Sequence, residues 1–533
     1  MTSSVASALK ERTESAQETQ EETTVTTARR PGRRAVMVSA VLTQLMIVLD
    51  LTIIAIALPR MQDDLGMTVS QSPWTVTGYS LAFGGLVLFG GRLCAVVGIR
   101  RSYQVGLIGF GVASLAAGMA TSFPILLVAR VAQGCFGALL APTSQSLLNV
   151  TFTERTERER VFAIFGATGG LGAAVGLLVG GALTDWLSWR WALYINILLA
   201  AAALLIGQRS LPPADQRDRG SRITDDLTGL ALGCGACFSA VYGLDRAQQT
   251  SWTSTSTVSW LALGGIAAVL FVVRERFANR PVLPLSMMAL PVRAASYATQ
   301  FIAGAAQMGA IIYLTYYMQN HFGYSPFKSG VVFLPMVLAL IATAIPAGRV
   351  IVPRLGARGT LPLGLAVLTG SFLIFSRMTT QSSYSQVALP GLIVFGIGLG
   401  LTMPVTFNSG TRGVDAKRTG LASAILSAAQ QIGGSFGVAL MTSYATQHAE
   451  DYVAEHSEEV RAAAMEAMMR AQALPQSPTG KQIIEALKAQ LVDRAQIEAY
   501  AGGFTMMAWI LAGAGAALVA CGIALSVRRR RTR

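Results

Sequence analysis

Apolar stretches of about 20 residues recur along the whole chain, and they constrain its fold more than any other feature. Each can cross a bilayer, whose hydrocarbon core takes about 20 helical residues. Only 13% of the 533 residues are charged, against about 25% in soluble domains. The sequence therefore predicts an all-α membrane protein with fourteen spans: 35–57, 74–93, 103–120, 123–148, 161–183, 190–207, 226–246, 257–276, 294–319, 328–350, 359–377, 386–410, 420–445 and 502–526.

The net charge of +14 invites a nucleic-acid interpretation, but the positions of the charges argue against it. Arginines concentrate in every second connection between spans, as in "TERTERER" and the terminal "VRRRRTR", whereas alternate connections such as "QQTSWTSTST" are nearly bare. This alternation is the positive-inside pattern of membrane proteins. It predicts that both termini are cytoplasmic and that no nucleic acid is bound.

The two halves of the chain repeat the same landmarks. "MQDDLG" at 61–66 follows span 1, and "MQNHFG" at 318–323 follows span 9, an offset of 257 residues. The pairs Gly91-Arg92 and Gly348-Arg349 keep this offset. The repeat predicts two six-helix bundles related by a pseudo-twofold axis, with spans 7 and 8 as an inserted two-helix hairpin.

These features predict six regions. They are a disordered cytoplasmic tail (1–34), an N-terminal six-helix bundle (35–207), the inserted hairpin (226–276), a C-terminal six-helix bundle (294–526), an extracellular helical insertion within it (446–501) and a basic cytoplasmic tail (527–533). The insertion is interpreted as a solvated helical hairpin, and a partner-binding role for it stays open.

Cofactor and metal chemistry has little support in the sequence. The histidines, His321, His448 and His456, are dispersed, and the CxxC pair Cys234 and Cys237 lies in a predicted span without a second pair. No G-x-x-x-x-G-K-[ST] loop is present, which disfavours an ATP-driven pump. We expect no cofactor, no metal and no enzymatic activity, and an ion gradient as the energy source.

Two opposite charges lie inside predicted spans, Asp50 in span 1 and Arg130 in span 4. Both are about 10 Å below the same surface, at about 1.5 Å of rise per residue, so they can meet if the spans are neighbours. An unpaired carboxylate in a membrane is costly. Pairing favours charged Asp50 and separation favours its protonation, which predicts a proton-coupling pair. A purely structural lock between two helices is the alternative.

Polar side chains in several spans predict a substrate cavity between the halves. Aromatic surface with few hydrogen-bonding groups suits amphipathic organic molecules. The alternative is that these side chains are polar contacts between helices. The candidates are Gln133, which can also bond to the charge pair, and Gln300, Gln307, Tyr313, Tyr316, Tyr317, Thr406, Asn408 and Gln430.

Five motifs in order carry a resemblance to the major facilitator superfamily and its fourteen-span drug:H⁺ antiporter branch. They are "LDLTIIAIALP" (49–59), "WTVTGYSL" (74–81), "RVAQG" (130–134), "WRWALYIN" (189–196) and "GYSPFKSGVVFLP" (323–335). The resemblance implies a monomeric exporter in the plasma membrane, surrounded by membrane lipid, that exchanges a drug or antibiotic for protons. It also implies that the positions of Asp50 and Arg130 are important for function.

The chain departs from the branch at two motifs. The candidate gating residues between spans 2 and 3 are Gly91, Arg92, Gly98, Arg100 and Arg101. Gly91, Leu93, Gly98 and Arg100 match the family motif, but Ala95 stands where the family has Asp and Val96 where it has a basic residue. That Asp is implied to latch the cytoplasmic gate, so we expect other contacts to close it here.

The second departure is in span 5. The antiporter-type helix keeps Gly172, Gly176, Gly180 and Gly181, but Leu177 replaces the usual proline. Because this motif marks exchange, a metabolite uptake symporter on the same scaffold stays open. A membrane receptor or enzyme is a further alternative, and it would need a metal or nucleophile cluster that the sequence does not show.

Overall fold

The computed structural model describes residues 32–67, 71, 74–208, 210–211, 227–278, 290–414, 419–470 and 478–531. Every regular element in these ranges is helical. The predicted disordered tail, 1–34, lies almost entirely outside the described residues, as do the last two residues of the basic tail.

Long helices occupy the predicted positions, and we number them to match the predicted spans. They are α1 (Arg33–Leu65), α2 (Trp74–Val97), α3 (Ile99–Gly118), α4 (Phe123–Thr151), α5 (Arg155–Trp186), α6 (Trp189–Gly207), α7 (Leu227–Gln249), α8 (Thr255–Phe277), α9 (Pro291–Tyr316), α10 (Leu334–Pro346), α11 (Val352–Phe375), α12 (Leu389–Thr411), α13 (Thr419–Arg470) and α14 (Pro478–Arg531). A short helix, Pro326–Val332, precedes α10, and π-helical turns, Tyr317–His321, Ala347–Ile351 and Tyr384–Ala388, adjoin α9, α10 and α12.

Within the described residues, eleven stretches are long and apolar enough to cross a membrane, three fewer than predicted. Helices α3 and α5 are not among the eleven: α3 carries Arg100 and Arg101 in its first turn, and several residues of α5 between 163 and 177 have side chains outside the described part of the chain. Helices α10 and α11 belong to one 49-residue stretch, Phe327–Phe375, which is interrupted where Gly356 takes a φ of +65°, a conformation that residues with a Cβ avoid. Fourteen crossings therefore remain a prediction.

The helices pack in two groups. In the group α1–α6, Tyr79 and Phe110 are fully buried in one apolar core, and in the group α9–α14, Phe372 and Phe504 are fully buried in another. We call these groups the N-terminal and C-terminal halves. That these halves are two separate six-helix domains stays an interpretation.

The helix pair α7–α8 lies on the side of both halves. Leu88 of α2, Cys237 of α7 and Ala424 of α13 form one apolar cluster, so α7 contacts each half. Tyr242 of α7 and Trp260 of α8 hold the pair together, with ring centroids 4.8 Å apart. The status of this pair as an insertion rests on the sequence repeat alone.

The predicted insertion 446–501 continues the last two long helices rather than forming a separate unit. Helix α13 runs unbroken for 52 residues, about 78 Å at 1.5 Å per residue, far more than a bilayer needs. Its partner α14 contacts it in antiparallel fashion, and the connection 471–477 lies outside the described residues. A hydrogen bond between His321 Nδ1 and Asp493 Oδ2, 3.2 Å apart, joins α14 to the turn after α9.

Candidate functional site

The structure brings the two charges inside the predicted spans into direct contact. Arg130 Nη1 on α4 donates to Asp50 Oδ2 on α1 at 2.5 Å, and both side chains have no solvent exposure. Helices α1 and α4 run in opposite directions and meet at this depth. The carboxylate is therefore balanced by a fixed positive charge in a site without bulk water.

The second carboxylate oxygen of Asp50 is held by two amides. Asn196 Nδ2 on α6 donates to Asp50 Oδ1 at 2.6 Å, and Gln133 Nε2 on α4 donates at 3.3 Å. Gln133 also donates to Ser114 Oγ on α3 at 2.7 Å. Asp50 thus receives one charged and two neutral hydrogen bonds.

Asn196 was not among the residues that the sequence predicts for the site. It lies at the end of "WRWALYIN", a motif used only for the family resemblance. The signal that could have found it is a fully buried amide in an otherwise apolar helix, because such a group needs a partner.

Residues of α2 also contact the guanidinium of Arg130. Its Nε donates to the backbone oxygen of Thr75 at 3.0 Å, and its carbon lies 4.6 Å from the ring centroid of Tyr79. Gln133 Oε1 accepts from Nη1 at 2.9 Å. Arg130 is therefore held by contacts with α1, α2 and its own helix α4.

The predicted cavity residues of α9 have separate surroundings. Tyr313 donates to Thr442 Oγ1 at 3.0 Å, and Tyr317 donates to the backbone oxygen of Thr379 at 3.2 Å, so both hydroxyls point into the C-terminal half. Tyr316, in contrast, is 50% exposed. The rings of Tyr313 and Tyr316 nevertheless meet edge to face, with centroids 6.3 Å apart, whereas Tyr317 is buried.

The remaining predicted cavity residues lie in pairs or alone. Gln300 and Thr406 are buried and hydrogen-bonded to each other, which agrees with the alternative of polar contacts between helices. Gln307 is buried, and Gln430 is partly exposed. Asn408 lies at the end of α12, in contact with the other half. A single cavity that all these residues line stays a prediction.

Three hydrogen bonds between described residues join the two halves at the end that the charge pattern places in the cytoplasm. Arg158 Nε on α5 donates to Asn408 Oδ1 on α12 at 3.1 Å. Nearby, the rings of Phe165 and Phe407 meet edge to face, with centroids 6.1 Å apart. The other two bonds are Gln145 Nε2 to Ser427 Oγ at 3.1 Å and Thr411 Oγ1 to Asn149 Oδ1 at 3.4 Å. These contacts hold the two halves together at this end of the bundle.

The predicted gating loop is a tight turn within the N-terminal half. Gly98 separates α2 from α3 with a φ of +97°. Arg100 Nη2 donates to the backbone oxygen of Gln208 at 3.3 Å, which ties the turn to α6. Gly91 is buried, Arg92 is half-buried and Arg101 is exposed. The closing contacts between the halves come instead from Arg158 and its neighbours.

The family is decided by a match over most of the chain. A family model described as "Major Facilitator Superfamily" matches residues 40–438, about three quarters of the sequence. The chain belongs to this superfamily. It is a multi-pass membrane transporter and not an enzyme.

Relatives and solved structures agree with this assignment. The transporter is 40% identical over 416 residues to the "Puromycin resistance protein pur8" of Streptomyces alboniger, covering 78% of this chain and 82% of the relative. It is 33% identical over 406 residues to the "Cephamycin export protein CmcT" of Amycolatopsis lactamdurans, covering 76% and 83%. Its fold is similar to those of the human organic anion transporter MFSD10 (TM-score 0.53, 15% identity, 90% of this chain and 100% of that one) and of the tetrameric PepTSo2 (0.54, 12%, 93% and 99%).

The antiporter-type helix of the transporter packs closely against α1. Gly172, Gly176 and Gly180 lie one turn apart on the face of α5 that meets α1, and Gly181 beside them is buried. A Cβ at Gly176 would overlap Thr52 Oγ1, two residues from Asp50. Small residues at helix interfaces allow this kind of close approach in membranes.

Replacing Gly176 by Ala is expected to lower the stability of the purified protein by about 1–3 kcal/mol, because overpacking forces α1 and α5 apart. Thermal unfolding in detergent measures the change. The control is Gly370→Ala on α11, where a Cβ would meet nothing within 4 Å. Equal stability of the two variants would contradict the close packing of α1 on α5.

A second ion pair fixes α1 to α6 at the opposite end from the closed contacts. Asp64 Oδ2 accepts from Arg190 Nη1 at 2.5 Å and from Trp189 Nε1 at 3.0 Å. The hydrogen bond from Arg190, followed by that from Trp189, lowers the pKa of Asp64 below its usual value. Unlike Asp50, this carboxylate is 47% exposed, so the pair contributes little to stability.

Proposed function

We propose that this transporter exports drugs or antibiotics, as amphipathic organic compounds, and can confer resistance to them. The main observation that supports this proposal is the similarity of the chain to relatives named for resistance or export. Besides the two above, these include the "Tetracenomycin C resistance and export protein" of Streptomyces glaucescens, 32% identical over 397 residues, and the "Lincomycin resistance protein" of Streptomyces lincolnensis, 30% identical over 416.

Proton antiport is the proposed source of energy, with Asp50 as the proton-binding group. Arg130 and a proton are alternative positive charges for the same buried carboxylate. When α1 moves away from α4, Asp50 loses the charged hydrogen bond and binds a proton. When the pair reforms, the proton is released. Export is driven if the carboxylate takes up its proton from outside and releases it to the cytoplasm.

The proposed setting is the plasma membrane, with both termini in the cytoplasm. Support comes from the basic residues, which cluster in alternate connections. In this orientation the hydrogen bonds between the halves close the cytoplasmic side. We propose a monomer, since the residues that hold Asp50, on α4 and α6, all belong to the same chain as Asp50.

The function is tested by a susceptibility panel followed by transport. Expression in an efflux-deficient host is expected to raise resistance to at least one of puromycin, lincomycin and tetracenomycin C. Inside-out vesicles should then accumulate that drug when their interior is acidic. Accumulation only with an alkaline interior would instead indicate proton-coupled uptake, and no response to the pH gradient would contradict proton coupling.

Arg158→Ala is expected to loosen the cytoplasmic closure, because a hydrogen bond to a charged group contributes about 1.5–3 kcal/mol. The fraction of molecules open at this side should rise by roughly tenfold or more. Spin labels at Glu154 and Val414, which flank the contact in sequence, would show a longer distance. Arg412→Ala, which removes an exposed arginine nearby, is the control. Identical distance distributions in both variants would contradict the closure.

A further inference from the structure

Three helices of the C-terminal half leave a cleft on the outside of the bundle, away from the Asp50 site. It lies at the predicted cytoplasmic end, between the start of α9, the start of α11 and the end of α14. Its walls are largely apolar, with Val292, Ala295, Leu361 and Leu518 among them, and its cavity volume is about 40 Å³. Such a narrow apolar cleft has room for part of one flexible apolar chain, not for a bulky ligand.

A positive charge marks the rim of this cleft. Arg358 lines it and is exposed. The sequence has no Asp or Glu between Arg276 and Val414, and none after Glu498. All three walls of the cleft fall in these stretches, so they offer no carboxylate as a counter-ion for Arg358.

The charge continues along α14. The run Arg528–Arg531 follows Leu518 by ten residues, about 15 Å along the helix axis at 1.5 Å per residue. Basic clusters at the cytoplasmic ends of membrane helices attract anionic headgroups. The cleft is thus apolar with Arg358 at its rim, and its wall α14 continues into a basic sequence toward the cytoplasmic end.

We propose that this cleft binds an anionic phospholipid of the cytoplasmic leaflet. Part of one acyl chain lies between α9, α11 and α14, and the phosphate contacts Arg358. A neutral lipid would fill the apolar walls without pairing with Arg358, and a free anion in water would pair with Arg358 without filling the walls. The combination of apolar cleft and unmatched positive charge selects a ligand that has both parts.

Occupancy of the cleft can be followed at Cys521, a free and exposed thiol in its wall. The purified full chain in detergent is titrated with phosphatidylglycerol or phosphatidylcholine, and N-ethylmaleimide labelling is quantified by peptide mass spectrometry. Phosphatidylglycerol is expected to slow labelling of Cys521, and phosphatidylcholine is not. Cys135 on α4, which is partly exposed and outside this cleft, is the internal reference and should respond equally to both lipids.

Two matched variants separate the charge from general lipid contact. Arg358→Gln should weaken the phosphatidylglycerol effect about fivefold, the change for about 1 kcal/mol per basic residue near an anionic surface. Arg377→Gln, at the opposite end of α11 and also exposed, should leave it unchanged. Equal protection by both lipids, protection by glycerol phosphate alone, or no protection at Cys521 would overturn the proposal.

Discussion

Replacing Asp50 by Asn is expected to abolish drug transport driven by a pH gradient while drug exchange without a gradient continues. Asn is nearly isosteric with Asp, so the hydrogen-bonded cluster keeps its shape, but it cannot bind and release a proton. The measurement is drug uptake into proteoliposomes under an imposed pH gradient, beside counterflow without one. Wild-type rates under the gradient would contradict proton coupling at Asp50 and leave the pair as a structural lock.

The single variant needs a control for folding, because it leaves Arg130 buried without a counter-ion. The double variant Asp50→Asn with Arg130→Gln removes both charges and keeps the site neutral. It should retain counterflow and lose the response to the gradient, as the single variant does. Asp50→Glu, which keeps a titratable carboxylate, should retain part of the gradient-driven transport.

Arg130→Ala is expected to have the largest effect on stability, a loss of about 3–5 kcal/mol, because it leaves a buried carboxylate unpaired. The measurement is thermal or denaturant-induced unfolding in detergent. The matched control is Arg190→Ala, since the Arg190–Asp64 pair has the same 2.5 Å separation but is partly exposed. That variant should lose about 0–1 kcal/mol.

Adding Asp50→Asn to Arg130→Ala should recover much of the lost stability, because the unpaired charge disappears with its partner. Equal losses in Arg130→Ala and Arg190→Ala would contradict the account, since the Arg130–Asp50 pair is fully buried and the Arg190–Asp64 pair is partly exposed. A double variant no more stable than Arg130→Ala would show that the loss comes from packing around the guanidinium.

The contact of Asp50 with Arg130 was predictable from sequence because the depth of each residue and its charge can both be read along the chain. Depth follows from the number of residues to the end of each span, and the cost of an isolated carboxylate demands a partner. Asn196 was not predictable in the same way. Its role depends on which face α6 turns toward α1, and that is set by packing.

The contacts of the predicted substrate residues could not be predicted from the sequence either. Polar side chains such as Tyr313 and Gln300 were recognisable on apolar helices, but their neighbours were not. Tyr313 bonds to Thr442 on α13, and Gln300 bonds to Thr406 on α12. Helix rotation decides between a cavity wall and a contact between helices, and close approaches at glycines, such as Gly304 against the backbone of Gln430, set that rotation.

The number of spans was less predictable than their positions. Helix α3 carries Arg100 and Arg101 in its first turn, so the hydropathy of this helix alone does not mark it as a span. The contacts that close the cytoplasmic side were expected only in general terms, from the missing aspartate at position 95. That Arg158 and Asn408 form one of them depends on two helices 250 residues apart in sequence.

Proton release on drug binding tests the central claim most directly. The purified protein is placed in weakly buffered detergent solution with a pH indicator, and the drug that the wild-type chain transports is added. The account predicts proton release by the wild-type chain, and none by Asp50→Asn or by the double variant with Arg130→Gln. Proton release by the Asp50 variants equal to that of the wild type would contradict the assignment of Asp50 as the proton-binding group.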